Sequence, residues 1–181
     1  MSVKDSRIEF ANALKHLIKR ENLEAVSVGE IAAEAGLSRQ LFYKYFTDKY
    51  DLAFWCYMQM ISPVAKAYID GRISFHEQNV TMLNIFRNEP EFYKNLFQNS
   101  EVQNSFFQQY FNFSISSWSL MAGRKNANNL ELYYLYRLYT YGCNHIVMDY
   151  IKNGMKEDVE FMADLFDEAL PEKLRPIVNG I

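Results

Sequence analysis

The apolar residues near the start of the chain recur with the spacing of one face of a helix. This face consists of Phe10, Ala13, Leu14, Leu17 and Ile18, which follow the i, i+3, i+4, i+7 and i+8 pattern. The pattern predicts an amphipathic helix from about residue 3 to about residue 20. No run of alternating apolar and polar residues is long enough to indicate a sheet, so the chain is predicted to be all-α.

Two more helices are predicted from their capping residues. Ser27 and Glu30 have the spacing of a capping box, in which each side chain accepts a hydrogen bond from the backbone N–H of the other residue. This pair marks the start of a second helix, and Gly36 supplies the left-handed residue that ends it. Ser38 then suits the N-cap of a short third helix, predicted over about residues 39–45.

The remaining helices are predicted from interruptions of the helical pattern. Thr47 or Asp48 is expected to cap a fourth helix, and Pro63 and Gly71 bracket an expected break or bend. Pro90 suits the first turn of a further helix. Long helices are predicted over roughly residues 102–122, 130–152 and 157–169, with a polar loop at 123–129.

The second and third helices have the arrangement of a helix-turn-helix. Only the four residues Ala35–Ser38 separate them, and in that motif the second helix enters the major groove of DNA. Phe42 and Phe46 lie four residues apart and are predicted to face inward. The outer face then carries Arg39, Gln40, Tyr43 and Lys44. Arginine and glutamine can pair with guanine and adenine edges, and tyrosine and lysine can hold phosphates.

Overall charge does not by itself indicate a nucleic-acid partner. The 181 residues carry a net charge of −3, whereas DNA-binding domains are usually basic. Residues 1–50 hold eight Lys or Arg and seven Asp or Glu, a balance of only +1. Any DNA-binding function therefore depends on where the charges lie rather than on their sum.

Several other classes of protein are not supported by the sequence. No segment approaches the roughly 18 consecutive apolar residues that a membrane span needs, and the charged start lacks a signal sequence, so a cytoplasmic protein is expected. Cys56 and Cys143 have no metal-ligand or disulfide-framework spacing, so no metal or cofactor is expected. No HExxH, GxSxG, P-loop or GxGxxG motif is present, which argues against an enzyme.

A family resemblance appears at this point in the residues. The segment VSVGEIAAEAGLSRQLFYKYFTDKYDL, residues 26–52, resembles the DNA-binding domain of TetR/AcrR-type transcriptional regulators. That family has a hydroxyl residue before helix two, A-G-[VL]-S at the turn, and an aromatic-rich recognition helix that ends in F-x-[SD]-K-x-x-L. The resemblance implies a three-helix DNA-binding domain at residues 1–52 and a helical regulatory and dimerisation domain at 53–181.

The resemblance also assigns roles to individual positions. Phosphate contacts are implied for Ser27, Ser38, Tyr43, Tyr45 and Lys49, and base contacts for Arg39, Gln40 and Lys44. Two residues depart from the family pattern. Gln40 stands where glycine is common, which indicates a base contact that glycine cannot make. Tyr45 replaces a frequent histidine, which leaves it open between the edge of the core and DNA.

Simpler explanations exist for several of these residues. Arg39, Gln40 and Lys44 would also suit an exposed face that only meets water. Ser27 and Ser38 are helix caps first, but a capped helix start still presents free N–H groups to an anion, so the capping and phosphate roles are compatible.

The C-terminal half has the pattern of a dimerisation and ligand-binding domain. Residues 133–151 are apolar almost all round, and a second apolar stripe runs along residues 159–170. Two such helices suit a four-helix interface with the same pair from a second copy. The segments PEFYKNLF and NSFFQQY and residues 141–170 resemble the branch of the family grouped with regulators of dihydroxyacetone kinase operons.

Many tyrosine, phenylalanine and methionine side chains in this half would suit either a compact core or an effector pocket. Arg137, Asn144 and His145 are polar residues on a mostly apolar helix, so they are candidates to line such a pocket, although they would equally pair with protein groups. The resulting hypothesis is a homodimeric regulator of a near-palindromic double-stranded DNA operator, repressor rather than activator, modulated by a small-molecule effector. The alternative is an activator, or a regulator switched by a partner protein.

Overall fold

A computed structural model gives the fold over residues 5–98, 105–126 and 128–180, and this part of the chain contains no strand. The all-α prediction is therefore confirmed. The helices are α1 Ser6–Ile18, α2 Val28–Glu34, α3 Arg39–Phe42, α4 Lys49–Ile69, α5 Phe75–Asn88, α6 Pro90–Phe97, α7 Ser105–Met121, α8 Gly123–Asn126, α9 Leu130–Lys152, α10 Val159–Ala169 and α11 Arg175–Val178, with a 3-10 turn at Glu172–Leu174. None of the described helices is both long and apolar enough to cross a membrane.

The helix starts follow the capping residues closely. Asp48, rather than Thr47, caps α4, because its carboxylate accepts hydrogen bonds from the N–H groups of Tyr50 and Asp51 at 2.8 and 2.9 Å. Pro90 occupies the first turn of α6. The predicted residues 102–104 of the seventh helix and residues 3 and 4 of the first lie outside the described residues.

The break expected between Pro63 and Gly71 is present: Pro63 lies inside α4 without ending it, and the helix stops just before Gly71, which has a φ of +68°. Two boundary predictions were wrong. Residues 123–126 form the short helix α8, although a polar loop was expected there. α3 ends at Phe42 rather than near residue 45, because the backbone beyond it closes tighter turns such as Tyr45 N–H to the Phe42 carbonyl at 2.9 Å.

One large apolar core extends from the first helices into the C-terminal half. It includes Phe10 of α1, Phe42 of α3, Leu52 of α4 and Phe166 of α10, all of them buried. A smaller cluster around Tyr68, Trp118, Tyr136, Leu170 and Leu174 closes the far end of the bundle. Because α4 contributes to both clusters, this one helix connects the helix-turn-helix to the far end of the molecule.

Helices α5 and α10 pack side by side and are joined by an ion cluster at His76. Its Nδ1 lies 2.8 Å from Asp167 Oδ2 and 3.8 Å from Asp164 Oδ1, and its Nε2 lies 3.1 Å from Glu160 Oε2. The hydrogen bonds to Glu160 and then to Asp167 raise the pKa of His76 above its ordinary value of 6.5. The folded protein therefore binds a proton at His76 more tightly than the unfolded chain does.

This cluster predicts a loss of stability as the pH rises. The contribution of His76 is complete below its ordinary pKa and disappears as the pH passes through the raised pKa of the folded state. The difference in Tm between the wild type and His76→Gln, measured from about pH 6 to about pH 9, should therefore shrink with rising pH. His145→Gln is the control, because the described contacts of this exposed histidine are with the Tyr141 carbonyl and the Phe111 ring rather than with a carboxylate. A constant difference for His76→Gln would contradict the prediction.

Candidate nucleic-acid interface

The turn between α2 and α3 is built from backbone hydrogen bonds that the local sequence dictates. The N–H of Gly36 donates to the Ala33 carbonyl at 3.1 Å, and the N–H of Leu37 donates to the Ala32 carbonyl at 2.9 Å. These are the two bonds of a Schellman motif, which requires a left-handed residue at its centre. Gly36 has a φ of +64° and supplies it. The chain leaves this motif directly into the start of α3.

Both helices of the motif are capped by the predicted serines. The Ser27 Oγ accepts from the Glu30 N–H at 3.2 Å while the Glu30 carboxylate accepts from the Ser27 N–H at 2.8 Å, so the predicted capping box is present. The Ser38 Oγ accepts from the Leu41 N–H at 3.1 Å. Each serine also lies on the surface. The remaining N–H groups at these helix starts are oriented to meet an anion such as a phosphate.

Aromatic rings hold α3 from behind. The Phe42 ring is fully buried and meets the Phe10 ring edge-on at 5.2 Å and the Phe46 ring at 5.6 Å. Phe46 in turn contacts Trp55 of α4 at 6.0 Å. The predicted inward orientation of Phe42 and Phe46 is therefore confirmed. This packing fixes the orientation of a helix that is too short to be stable alone.

The side of α3 that faces away from the core, together with the turn after α3, is exposed to solvent. This surface comprises five predicted site residues, all exposed: Arg39, Gln40, Tyr43, Lys44 and Tyr45. Tyr43 is 54% exposed and Tyr45 is 45% exposed, which is unusual for large aromatic side chains. Leu41 is partly buried against the core, which favours packing over a direct contact with a base. We call this set of five residues the α3 face.

Lys49 has a structural role that the sequence did not reveal. Its Nζ donates to the backbone carbonyls of Glu24 at 2.7 Å and Val26 at 2.9 Å, which lie in the segment before α2. Tyr50 reinforces this link, because its hydroxyl donates to the Glu24 carboxylate at 2.5 Å. Burial and the Glu24 carboxylate raise the pKa of Tyr50 to about 12. The start of α4 is therefore firmly attached to the segment that leads into α2.

A cavity of about 160 Å³ lies in the C-terminal half between α4, α5, α7 and α9. Asn144 lines it, and its Oδ1 accepts a hydrogen bond from the Tyr110 hydroxyl at 3.1 Å. The other two candidates, Arg137 and His145, do not line this cavity. Arg137 lies outside the cavity, where it hydrogen-bonds to the Tyr141 hydroxyl at 3.1 Å and stacks on tyrosine rings. His145 is exposed and bonds the Tyr141 carbonyl at 2.8 Å.

Sequence reasoning also missed a polar residue of this cavity, Asn79 on α5. Its amide Nδ2 is buried and has no hydrogen-bond partner in the described part of the chain. The same is true of the Asn144 Nδ2. Asn79 lies among polar neighbours in the sequence, so nothing local distinguishes it. Only the packing of α5 onto α4 places it inside.

Comparison with known proteins supports the fold and the family. Residues 12–54 match the family described as bacterial regulatory proteins, tetR family, and residues 74–171 match a family described as a transcriptional regulator C-terminal region. No curated protein matches the chain at a significant level.

Solved structures of similar fold cover nearly the whole chain. The dihydroxyacetone kinase operon activator DhaS is 17% identical over 96% of this chain and 98% of its own, with a TM-score of 0.59. A TetR transcriptional regulator from Rhodococcus sp. RHA1 is 16% identical over 94% and 97%, with a TM-score of 0.62. FadR from Bacillus subtilis in complex with stearoyl-CoA is 17% identical over 96% and 98%, with a TM-score of 0.58.

At these identities the structural matches establish the fold alone. The sequence matches go further, because together they extend over most of the chain, one on the capped helix-turn-helix and the other on the helical C-terminal region. The chain belongs to the TetR family of transcriptional regulators and carries its DNA-binding domain.

Proposed function

We propose that the protein is a homodimeric, cytoplasmic regulator that binds a near-palindromic DNA operator through the α3 face and releases it when an effector occupies the cavity. The observation that carries the proposal is the α3 face itself. Five polar or amphipathic side chains are held outward by a rigid aromatic backing, which is the arrangement that reading base edges requires.

The side chains of the α3 face divide by chemistry into those assigned to base edges and those assigned to phosphates. Arg39 and Gln40 stand in the first turn, which reaches deepest into the groove, and are assigned to guanine and adenine edges. Lys44 follows them as a base or phosphate contact. Tyr43 and Tyr45, with the capping residues Ser27 and Ser38, are assigned to the phosphates on either side. Lys49 has one ammonium N–H beyond the two bonds to carbonyls, and this N–H is its available phosphate contact.

The dimer is proposed to form through α9 and α10. Leu130, Tyr134, Leu138 and Ile146 are between 42% and 72% exposed and follow one i±4 ridge of α9, with Gly142 in the same row. Phe161 and Leu165 on α10 are 57% and 37% exposed. A row of large apolar side chains of this length is unusual on a monomer and suits an interface. We call these residues the α9–α10 ridge.

A two-fold pair would present two α3 faces to one side of a duplex. Major grooves on that side recur about every 34 Å, so the operator is proposed to consist of two inverted half-sites. We assign DNA binding to residues 1–52, and dimerisation and regulation to residues 53–181. Both parts share one core, so a change in the packing of either part displaces residues of the other.

Contacts between the two halves provide a path from the cavity to DNA. Tyr57 and Ile61 of α4 line the cavity, and the same helix begins at Lys49, which holds the segment before α2. On the other side, the Asn95 amide of α6 donates to the Ile18 carbonyl at the end of α1 at 2.6 Å. A ligand that displaces α4 would therefore shift the α3 face, by no more than its differential affinity for the two states.

The alternative to a small-molecule effector is regulation by a partner protein. The presence of a cavity supports the small-molecule effector. A chain regulated only by a partner would have no need of a cavity with buried amide donors. FadR in its complex with stearoyl-CoA is an example of the same fold with a bound small molecule.

We propose that the protein represses, rather than activates, transcription from its operator. Activation remains the alternative, and DhaS is an activator of the same fold.

The test is a fluorescence anisotropy titration of the full chain with duplexes from the region upstream of its own gene. At moderate salt one duplex should bind at least about 10³-fold more tightly than a shuffled sequence of equal length. Footprinting of that duplex should show two protected, inverted half-sites about 10 bp apart. Equal affinity for every duplex would contradict sequence-specific regulation.

Arg39→Ala tests the assignment of the α3 face. The variant should lose about 1–3 kcal/mol, or roughly 5- to 150-fold, on the operator and should tolerate substitution of one base pair per half-site. Arg72→Ala removes the same charge from an exposed loop beyond α4 and should leave specific binding unchanged. An equal loss for Arg39→Ala on operator and shuffled DNA would reassign Arg39 to a phosphate.

A further inference from the structure

The lining of the cavity, as far as the chain is described, contains no ionised group. Its residues come from α4, α5, α7 and α9, with single contributions from α10 and α11, and among the described residues none is Asp, Glu, Lys, Arg or His. An ion that entered would lose its hydration without meeting an opposite charge, which is strongly unfavourable. The part of any ligand that occupies this space must therefore be uncharged.

Most of the lining is aromatic or aliphatic, which selects an apolar ligand body. Rings of Tyr57, Phe86, Phe113 and Phe166 contribute to the wall together with the side chain of Ile61. A cavity of about 160 Å³ is close to the size that accommodates a single benzene ring in an apolar protein core. A ligand of one ring, or an alkyl chain of similar volume, matches this space.

Two amide groups add a specific polar requirement. The Nδ2 atoms of Asn79 and Asn144 are buried without a hydrogen-bond partner in the described chain. The Tyr110 hydroxyl donates to the Asn144 Oδ1 at 3.1 Å, and the N–H₂ of the same amide has no partner in the described chain. Buried donors are costly to leave unpaired, and an oxygen with lone pairs would satisfy them.

We propose that the cavity binds an uncharged, mainly apolar molecule whose carbonyl, ether or hydroxyl oxygen accepts hydrogen bonds from Asn79 and Asn144. The two residues lie on different helices, α5 and α9. A single ligand that carries an acceptor oxygen would therefore connect α5 and α9 across the cavity. Neither water, which lacks the apolar body, nor an alkane, which lacks the oxygen, would make the same set of contacts. Its effect on DNA rests on the proposed function, but its binding does not.

Three probes of nearly equal size test separately whether the ligand must be uncharged and whether it must carry an acceptor oxygen. Acetophenone carries one carbonyl oxygen, ethylbenzene has none, and benzoate is ionised at neutral pH. Their dissociation constants for the full-length wild type are measured by calorimetry or ligand-observed NMR without DNA. Acetophenone should bind, and benzoate should bind at least about tenfold more weakly because its charge has no partner. Binding of benzoate more tightly than acetophenone, or no binding by acetophenone at millimolar concentration, would overturn the proposal.

Asparagine variants test the acceptor oxygen. The ratio of the ethylbenzene Kd to the acetophenone Kd should fall by about tenfold in Asn79→Leu and in Asn144→Leu, which keep the side-chain volume and remove the donor. Asn153→Leu is the matched control, because Asn153 is exposed at the end of α9, and it should keep the wild-type ratio. A ratio that is unchanged in both cavity variants would mean that water satisfies the amides and would overturn the assignment. Should a variant fail to fold, the comparison of acetophenone with benzoate on the wild type still decides the charge requirement.

The same probes distinguish failure of this proposal from failure of the proposed function. Acetophenone that binds with the expected dependence on Asn79 and Asn144, yet leaves operator affinity unchanged, would support the ligand chemistry and remove this ligand class from regulation. Operator affinity that responds to benzoate but not to acetophenone would retain an effector and overturn the uncharged ligand.

Discussion

Phe42→Ala is expected to destabilise the protein by about 3–5 kcal/mol, since it removes a fully buried ring and leaves a cavity. Phe42 is the only phenylalanine within α3, and its ring contacts both Phe10 and Phe46. Typical domains have a total stability of only about 5–15 kcal/mol, so the loss is a large fraction. Chemical denaturation monitored by circular dichroism measures it. Operator binding should also fall, although Phe42 faces away from DNA, because α3 loses the packing that orients it.

Tyr43→Ala is the matched control for Phe42→Ala. Tyr43 is the next residue and is also aromatic, but its side chain is 54% exposed. Its loss should change the stability by about 1 kcal/mol or less while still weakening DNA binding through the lost phosphate contact. Opposite behaviour, with Phe42→Ala stable and Tyr43→Ala unfolded, would mean that α3 is not held by its phenylalanines.

The helix-turn-helix could be predicted from the sequence because its signals are local. The capping box of Ser27 and Glu30, the left-handed Gly36 and the cap at Ser38 each involve residues at most five positions apart. Such motifs depend little on the rest of the fold. The start of α5 had the same kind of signal, since Ser74 and Glu77 form a second capping box, but the sequence interpretation overlooked it.

Contacts between distant segments could not be predicted in this way. Lys49 is 23 and 25 residues away from the carbonyls that it holds, so its sequence position indicated only a basic helix start. On α9 the apolar pattern runs almost all round, so it does not show which side faces the cavity. Successive helical residues point about 100° apart. Asn144 therefore faces inward while its neighbour His145 is exposed.

The apolar pattern of α9 also did not show on which side of the helix Arg137 lies. An arginine on an apolar helix suggested a polar group in a pocket, yet its guanidinium lies 5.5 Å from the Tyr133 ring centre and 5.4 Å from the Tyr141 ring centre. Arginine stacks on aromatic rings while its charge stays in water, so the polar residue requires no pocket.

Leu138→Asp is expected to convert the proposed dimer into monomers. Leu138 is 72% exposed in the isolated chain, near the middle of the α9–α10 ridge, so the fold should tolerate the change. In the dimer each copy would bury an unpaired carboxylate, at about 2 kcal/mol or more per copy. By two-fold symmetry the cost occurs twice, so the dimer Kd should rise by about 10³-fold or more. Sedimentation velocity over a dilution series measures the shift.

Two further variants decide whether the charge or the position causes the change. Leu138→Met keeps the apolar volume and should remain dimeric. Ile8→Asp introduces the same carboxylate at an exposed position on α1, far along the chain from the ridge, and should leave the dimer intact. Because operator binding needs two linked α3 faces, Leu138→Asp should lose specific affinity together with the dimer, and a covalent cross-link between copies should restore it. A Leu138→Asp protein that stays dimeric at low concentration would move the interface away from α9 and with it the geometry by which two half-sites are read.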